Sequence, residues 1–383
     1  MTLESGINVD KAVRDRYSEA AKAQEPALCC PVEYNTEYLK IIPSEVIERD
    51  YGCGDPSVYV KEGETVLDLG SGGGKICLIA SQVVGKSGRV IGVDMNDDML
   101  DLAHRATKEV AEKLGYNNVE YRKGNIQDLK LDRAQVENYL KENPVKNNQD
   151  LIKLEQTMDE LRRKSPMIPD NSVDVVVSNC VLNLVASDEK EQLMAEIFRV
   201  LKKGGRAVIS DIVSDEFVPQ HLQDNEELWS GCISGAFQEH DFLKAFERSG
   251  FYGIEQVKRD EKPWQTVEGI EFRSVTVVAY KGKEGVCMEH NQAVTYNGPF
   301  SSVQDDDGHV FTRGARTAVC AKTFEILQKE PYASYFSAIE PLEAVDPKTA
   351  REFSCSEPEV FRDPKQTKGQ DYKETKSSEG SCC

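Results

Sequence analysis

The chain has 383 residues with 47 Lys or Arg against 66 Asp or Glu, which gives a formal charge of −19 and disfavours nucleic acid and anionic membranes as partners. Its content of 39% hydrophobic and 30% charged residues is typical of a globular protein of two or three domains. No apolar run approaches the ~20 residues that span a bilayer, and residues 1–20 lack the apolar region of a secretory signal, so we expect a cytoplasmic protein.

The pattern of the chain changes near residue 60. Residues 1–60 combine a short helix with a loop-rich segment, whereas residues 61–281 alternate apolar strands with helical periods. Two late strands, at 254–257 and 273–280, complete a doubly wound, mostly parallel α/β sheet. The five earlier strands are predicted at 65–70, 89–94, 119–124, 173–179 and 206–212.

Three segments lie outside this alternation. The charged segment 132–165 has apolar residues at helical spacing and a proline near its middle, which predicts an inserted helical hairpin on the surface. Residues 282–355 are turn-rich, with short strands and one helix, and predict a small C-terminal α+β domain. Residues 356–383 contain few apolar residues, so we predict a disordered tail that ends in a cysteine pair.

A glycine-rich loop follows the first strand, with the sequence Asp-Leu-Gly-Ser-Gly-Gly-Gly at 68–74. Its glycines allow a sharp turn and let a ligand approach the start of the next helix. Asp94 ends the second strand, where a carboxylate can accept hydrogen bonds from ribose hydroxyls. The dinucleotide fingerprint would place a glycine at Lys75, so the loop predicts ligand binding but fits the NAD pattern poorly.

This loop resembles motif I of the class I methyltransferases, which bind S-adenosylmethionine on a seven-stranded Rossmann-like sheet. The resemblance covers residues 64–281. It implies that Asp94 binds the ribose, that Met95 and Asn125-Ile126 face adenine, and that Asn179 lines the methyl-transfer pocket. The implied cofactor-binding residues are Asp68, Gly70, Ser71, Gly72, Asp94, Met95, Asn125, Ile126 and Asn179.

Four of the eleven cysteines fall in segments at the ligand side of such a sheet. Cys180 follows the fourth strand, and Cys77 lies in the first turn of the helix after the glycine loop. Cys53 and Cys232 lie in glycine-flanked loops. Each of them alone is typical of a buried structural residue, but together they can converge on one cofactor pocket.

The motifs around these cysteines resemble the signatures of arsenite methyltransferases. They are Tyr-Gly-Cys-Gly-Asp-Pro at 51–56, Leu-Gly-Ser-Gly-Gly-Gly-Lys-Ile-Cys at 69–77, Val-Ser-Asn-Cys-Val-Leu-Asn-Leu at 177–184 and Ser-Gly-Cys-Ile-Ser-Gly-Ala at 230–236. The resemblance implies an arsenic-site segment at 213–250 and a catalytic thiol set of Cys53, Cys77, Cys180 and Cys232.

Trivalent arsenic is soft, so thiolates are its natural ligands. The resemblance implies Cys180 and Cys232 as its core ligands, with Cys53 or Cys77 completing the set or forming a disulfide that reduces the pentavalent product. The arsenic lone pair would attack the sulfonium methyl without a general base, giving mono- to di- or trimethylated arsenicals. Repeated turnover would need an external thiol reductant, glutathione or thioredoxin.

The remaining cysteines and the partners are predicted as follows. The adjacent pairs Cys29-Cys30 and Cys382-Cys383 either capture arsenic or are tail thiols without a defined role. We expect a monomer whose partners are small-molecule arsenicals and the thiol reductant system, with no nucleic acid and no membrane. Three further cysteines are expected to be structural, namely Cys287, Cys320 and Cys355.

Two alternative functions stay open at this point. A quinone- or sterol-type methyltransferase would use the same glycine loop on a carbon or oxygen nucleophile, but would give no reason for the four cysteines. A non-catalytic metalloid-binding sensor would usually carry a basic face, against which the net charge of −19 argues.

Overall fold

The computed structural model describes residues 8–25, 28 and 32–369. The chain divides into two compact units, Met1–Gly282 and Lys283–Cys383. In the part of the chain that the model describes, no helix is long and apolar enough to cross a membrane.

The first unit is built on one sheet, whose strands follow the order β3-β2-β1-β4-β5-β9-β7. The first five strands in this order are parallel, whereas β9 runs antiparallel to both β5 and β7. This arrangement confirms the predicted doubly wound sheet of seven strands, to which β6 and β8 add short edges. The strands are β1 (Thr65–Leu69), β2 (Arg89–Asp94), β3 (Val119–Lys123), β4 (Val173–Asn179), β5 (Leu201–Ser214), β6 (Phe237–Gln238), β7 (Tyr252–Arg259), β8 (Gln265–Val267) and β9 (Ile270–Tyr280).

Helices cover both faces of this sheet because its central strands are apolar on both sides. Val66 packs with α4 on one face, and the next residue, Leu67, packs with α8 on the other. The helices are α1 (Val9–Ala20), α2 (Thr36–Leu39), α3 (Ser44–Glu48), α4 (Lys75–Val84), α5 (Asp97–Leu114), α6 (Arg133–Glu142), α7 (Asn148–Lys164), α8 (Lys190–Val200), α9 (Gln220–Gln223), α10 (Glu226–Ser230) and α11 (Glu239–Arg248).

The charged insertion forms the two helices α6 and α7, which are separated near Pro144. No residue of α7 is buried, and Leu151 and Ile152 are exposed. Arg162 connects α7 to the body of the unit through an ion pair with Asp128 at 3.0 Å. The insertion is therefore a surface element.

Over residues 283–369, the second unit contains two small sheets and two short helices. Tyr296, Phe311 and Phe324 form the centre of its apolar core. Its elements are β10 (Ala293–Tyr296), β11 (Ser302–Gln304), β12 (Val310–Thr312), β13 (Arg316–Ala318), α12 (Ala321–Leu327), β14 (Phe336–Ile339) and α13 (Pro364–Lys368).

The prediction of a disordered tail from residue 356 is wrong for residues 356–369. Arg362 is buried and donates to both carboxylate oxygens of Glu289, at 2.8 and 3.0 Å. The backbone N–H of Ala318 donates to the carbonyl of Val360 at 2.6 Å. These contacts are polar rather than apolar, so the low hydrophobic content of the segment does not reveal them. Residues 370–383 lie outside the described residues.

Candidate functional site

The glycine loop forms one wall of a cleft at the carboxyl edge of the sheet. Gly70 has φ of +67°, and a Cβ there would lie 2.4 Å from a methyl carbon of Val181. Gly74 has φ of +87° and caps the N-terminus of α4. Glycine adopts a positive φ at little cost and has no Cβ to clash, so it suits both positions. The backbone of Gly70 can therefore line the cleft directly.

Asp94 is held in one orientation by the backbone around it. Its Oδ2 accepts from the N–H of Gly72 at 2.8 Å and its Oδ1 from the N–H of Asn96 at 2.9 Å. Burial raises the pKa of Asp94, and these backbone hydrogen bonds oppose the increase. Each carboxylate oxygen keeps a second lone pair, so the group can accept from vicinal hydroxyls such as those of a ribose.

The cleft brings together all of the predicted cofactor-binding residues. The space that its lining surrounds measures about 1090 Å³, and part of that space is open solvent. Among the described residues the buried hydroxyl of Ser71 has no hydrogen-bond partner, so a polar ligand atom there would satisfy it. The predicted residues that line the cleft are Asp68, Gly70, Ser71, Gly72, Asp94, Met95, Asn125, Ile126 and Asn179.

Asp68, in the cleft lining, has a pKa well above the ordinary range of a carboxyl group. Burial raises its pKa to about 7, although a hydrogen bond from the Cys77 thiol opposes the shift. The Sγ–Oδ2 distance of that hydrogen bond is 3.2 Å. A buried acid that is half ionised near neutral pH favours a cationic ligand, because a positive charge stabilises the ionised form.

Two predicted cysteines meet beside the cleft together with a carboxylate. The Sγ atoms of Cys53 and Cys180 and one oxygen of Asp211 lie within 4.8 Å of one another, and all three residues are buried. Asp211 was not predicted, although a charged residue inside the apolar strand β5 was a usable signal. Its carboxylate accepts from the N–H groups of Leu182 and Ile212, at 2.9 and 2.8 Å.

Cys232 adjoins this pair from the segment after α10. Its Sγ donates to the carbonyl oxygen of Cys180 at 3.3 Å and lies 4.0 Å from the hydroxyl of Tyr17. Cys180 and Cys232 both have φ of +63°, a conformation that non-glycine residues rarely adopt. Two strained cysteines in contact indicate a functional site, since such strain persists where the surroundings impose it.

Asn179 fastens the Cys53 loop to the end of β4. Its Oδ1 accepts from the N–H groups of Cys53 and Gly54 at 2.9 and 3.0 Å, and its Nδ2 donates to the carbonyl of Gly54 at 2.7 Å. A Cβ at Gly52 would lie 2.1 Å from that Nδ2, so the loop requires glycine to approach this closely. The carbonyl of Cys53 also accepts from the Ser274 hydroxyl at 2.6 Å. Ser274 was not predicted, and no sequence motif marks it.

Cys77 occupies a different environment from the other three cysteines. It is fully buried on α4, within the apolar cluster that contains Val66, and its thiol faces Asp68. Burial raises its pKa well above the ordinary value, and the charge of Asp68 raises it further. The structure does not place Cys77 in the group formed by Cys53, Cys180 and Asp211. The adjacent pairs Cys29-Cys30 and Cys382-Cys383 lie outside the described residues.

The fold and this cleft define a class I S-adenosylmethionine-dependent methyltransferase. Residues 60–250 match the family model of a methyltransferase domain, and residues 283–372 match a domain of unknown function. The crystal structure of CrArsM, an arsenic (III) S-adenosylmethionine methyltransferase from Chlamydomonas reinhardtii, aligns with a TM-score of 0.54 and 26% identity, covering 84% of this chain and 99% of that one.

Sequence relatives then specify the family. An arsenite methyltransferase from Aquipseudomonas alcaligenes is 32% identical over 327 residues, covering 81% of this chain and 84% of that protein. An arsenite methyltransferase from Mus musculus is 29% identical, covering 86% and 81% respectively. The chain belongs to the arsenite methyltransferases, and it methylates arsenite with S-adenosylmethionine as methyl donor. This function was the first expectation from the sequence, ahead of the quinone- or sterol-type methyltransferase and the metalloid sensor.

We expect Asn179→Ala to weaken arsenite binding more than cofactor binding. The change removes the hydrogen bonds that hold Cys53 beside Cys180, at a cost of about 2 kcal/mol, or roughly 30-fold in affinity. Equilibrium dialysis against arsenite and against S-adenosylmethionine measures both affinities. Asn138→Ala, at an exposed position of α6, is the matched control. Unchanged arsenite affinity in Asn179→Ala would show that these hydrogen bonds are not needed for arsenite binding.

We expect cofactor affinity to decrease as the pH is lowered through 7. Asp68 is mainly ionised at pH 8 and mainly protonated at pH 6, and the cofactor carries ammonium and sulfonium charges that favour the ionised form. The dissociation constant should therefore increase about tenfold between pH 8 and pH 6. Isothermal titration calorimetry at several pH values measures this change.

In Asp68→Asn the affinity at pH 8 should be low and the pH dependence shallow. Asp101→Asn, an exposed carboxylate on α5, should keep the wild-type profile. The same slope in wild type and Asp68→Asn would assign the titration to another group.

Proposed function

We propose that arsenite is bound as a trithiolate by Cys180, Cys232 and Cys53. The observation that carries this proposal is the juxtaposition of Cys53 with Cys180, while the Cys232 thiol lies on the Cys180 carbonyl. Arsenous acid, As(OH)₃, exchanges its three hydroxyl groups for three thiols, which forms three As–S bonds and releases three waters. Cys53 is favoured over Cys77 as the third ligand because its Sγ lies within 4.8 Å of the Cys180 Sγ, whereas the Cys77 thiol is fully buried on α4 and donates to Asp68.

The geometry then explains why no general base is needed for methyl transfer. Three As–S bonds leave one lone pair on arsenic, and that pair is the nucleophile. The cofactor supplies an electrophilic methyl group on a sulfonium. Cys180 lines the same cleft as the predicted cofactor-binding residues. An arsenic atom bound by these thiols would therefore lie at the edge of that cleft. Alignment of two bound reactants can supply ~7–11 kcal/mol of the barrier.

Asp211 is proposed as a proton acceptor during arsenic loading. Its carboxylate lies within 4.8 Å of the Cys53 and Cys180 thiols. Burial raises its pKa to about 6, against the effect of its backbone hydrogen bonds, so the group is mainly ionised at neutral pH. It can therefore take a thiol proton and pass it to the hydroxyl group that leaves arsenic as water.

Methyl transfer raises arsenic formally from the trivalent to the pentavalent state, so a two-electron reduction must precede the next transfer. We propose that Cys53 and Cys77 supply it. The Cys77 thiol leaves its contact with Asp68, gives its proton to that carboxylate and attacks the Cys53 sulfur. The S–S bond forms as the As–S bond to Cys53 breaks, and the electron pair of that As–S bond returns to arsenic as its lone pair, so arsenic becomes trivalent again. An external thiol, glutathione or thioredoxin, would then reduce that disulfide. The cycle can repeat to give di- or trimethylated arsenicals. The monomeric state, the cytoplasmic location and the lack of nucleic-acid or membrane partners stay predictions from the sequence.

We expect the thiol requirement to depend on how many hydroxyl groups the substrate can exchange. Arsenite exchanges three, whereas methylarsenite exchanges two and can be held by Cys180 and Cys232 alone. Cys180→Ser and Cys232→Ser should lose methylation of both substrates, at least 100-fold, while keeping cofactor affinity. Cys53→Ser should lose methylation of arsenite but keep that of methylarsenite.

Chromatography of arsenic species coupled to mass spectrometry, with excess glutathione, measures both reactions. Val145→Ala, at an exposed position of the surface insertion, controls for nonspecific effects of a substitution on activity. Normal turnover of either substrate by Cys180→Ser would contradict the proposed ligand set, and so would equal loss of both substrates in Cys53→Ser.

A further inference from the structure

The second unit contains a cluster of three cysteines that the methylation mechanism does not use. The Sγ atoms of Cys287, Cys320 and Cys355 lie within 4.8 Å of one another. Cys320 is buried and the other two are partly exposed, and none of the three forms a disulfide. From the sequence these three residues were expected to be structural.

Backbone hydrogen bonds hold these three segments together. The carbonyl of Cys287 accepts from the N–H of Phe353 at 2.8 Å, on the segment that leads to Cys355. The next residue, Met288, forms a β-bridge with Glu352, and its carbonyl accepts from the N–H of Ala321 at 2.9 Å. Ala321 directly follows Cys320. The Cys287 segment therefore lies between the other two, and the main chain fixes the separation of the thiols.

The Cys320 thiol is also oriented locally. Its Sγ accepts from the N–H of Thr323 at 3.4 Å and contacts the Thr323 hydroxyl at 3.3 Å. An ion that bound there would meet one fixed, buried thiol and two thiols within reach of solvent. This arrangement provides both a rigid anchor and an entry path.

We infer that Cys287, Cys320 and Cys355 form a second binding site for trivalent arsenic, distinct from the catalytic thiols. Among the described residues, no fourth His, Cys, Asp or Glu joins the cluster within the same distance. Structural zinc sites almost always have four protein ligands, whereas trivalent arsenic forms three bonds and keeps a lone pair. Three thiols without a fourth ligand therefore suit arsenic better than zinc.

The fate of the thiol protons also differs between a divalent cation and arsenous acid. A divalent cation would have to displace thiol protons into solution. Arsenous acid instead releases each proton as water: three S–H and three As–O bonds break, three As–S and three O–H bonds form, and arsenic stays trivalent.

The number of thiols also sets the selectivity of this site. Inorganic arsenite can bond to all three, methylarsenite to two and dimethylarsenite to one. The site should therefore retain inorganic arsenite most strongly and release methylated products. It would act as a reservoir for the unmethylated substrate on the same chain.

The test measures arsenic bound per chain in a full-length background that lacks the competing thiols. Cys29, Cys30, Cys382 and Cys383 are changed to Ser, and Cys180→Ser is added to remove the catalytic site. The reduced protein is incubated with arsenite, desalted and analysed by inductively coupled plasma mass spectrometry. We expect one arsenic per chain in this background, with three sulfur and no oxygen neighbours by X-ray absorption.

Adding Cys287→Ser or Cys355→Ser should remove that arsenic. These two positions are partly exposed, so the substitutions test the site without relying on the buried Cys320. Ser356→Ala, exposed beside Cys355, is the matched control and should retain arsenic. Circular dichroism melting curves check that each variant is folded.

The inference is overturned if a folded Cys287→Ser or Cys355→Ser variant binds as much arsenic as its background. It is also overturned if the purified chain carries one zinc that these variants lose. A different result would show that the proposed catalytic ligand set is wrong. Arsenic would then remain at the catalytic site despite Cys180→Ser, so the background would bind two arsenic atoms per chain. Cys287→Ser would remove one of these two.

Discussion

The hydrogen bonds between Asn179 and the loop around Cys53 are the contacts on which the proposed arsenic site depends. They join a loop that precedes the sheet to the end of β4, where Cys180 immediately follows. Without them Cys53 would be carried by a segment flanked by two glycines, and the entropy of that segment would oppose its alignment with Cys180. The sheet thus fixes both the cofactor cleft and the distance between two thiols.

Strain and burial elsewhere in the site serve the same alignment. Cys180 and Cys232 both have a positive φ, and the Cys232 thiol donates to the backbone carbonyl of Cys180 from a different segment. The surroundings are apolar, since Cys53, Cys180 and Cys232 belong to one buried cluster with Trp229 and Phe272. Thiols in apolar surroundings suit a thiophilic substrate whose own lone pair, in the proposed mechanism, performs the attack.

The sequence was sufficient to predict that the cofactor-binding residues meet in one cleft, because the position of that cleft follows from topology. The carboxyl ends of parallel strands meet at one edge, so the residues that end β1, β2 and β4 had to converge there. It was not sufficient for contacts between distant segments. No local sequence feature shows that Ser274 donates a hydrogen bond to Cys53 or that Asp211 lies beside the thiols. The same holds for the convergence of Cys287, Cys320 and Cys355. The ordered structure of residues 356–369 was not predicted for the same reason. Arg362 and backbone hydrogen bonds, rather than buried apolar side chains, hold this segment in place.

The most direct test of this account is a crystal structure of the reduced protein with arsenite, with data collected above the arsenic absorption edge. Anomalous scattering locates arsenic without reference to any functional assay. The account predicts a peak within bonding distance of the Sγ atoms of Cys53, Cys180 and Cys232, at the edge of the cofactor cleft. A peak bonded to Cys77 instead of Cys53, or the absence of arsenic from Cys180 and Cys232 in crystals that bind it elsewhere, would contradict it.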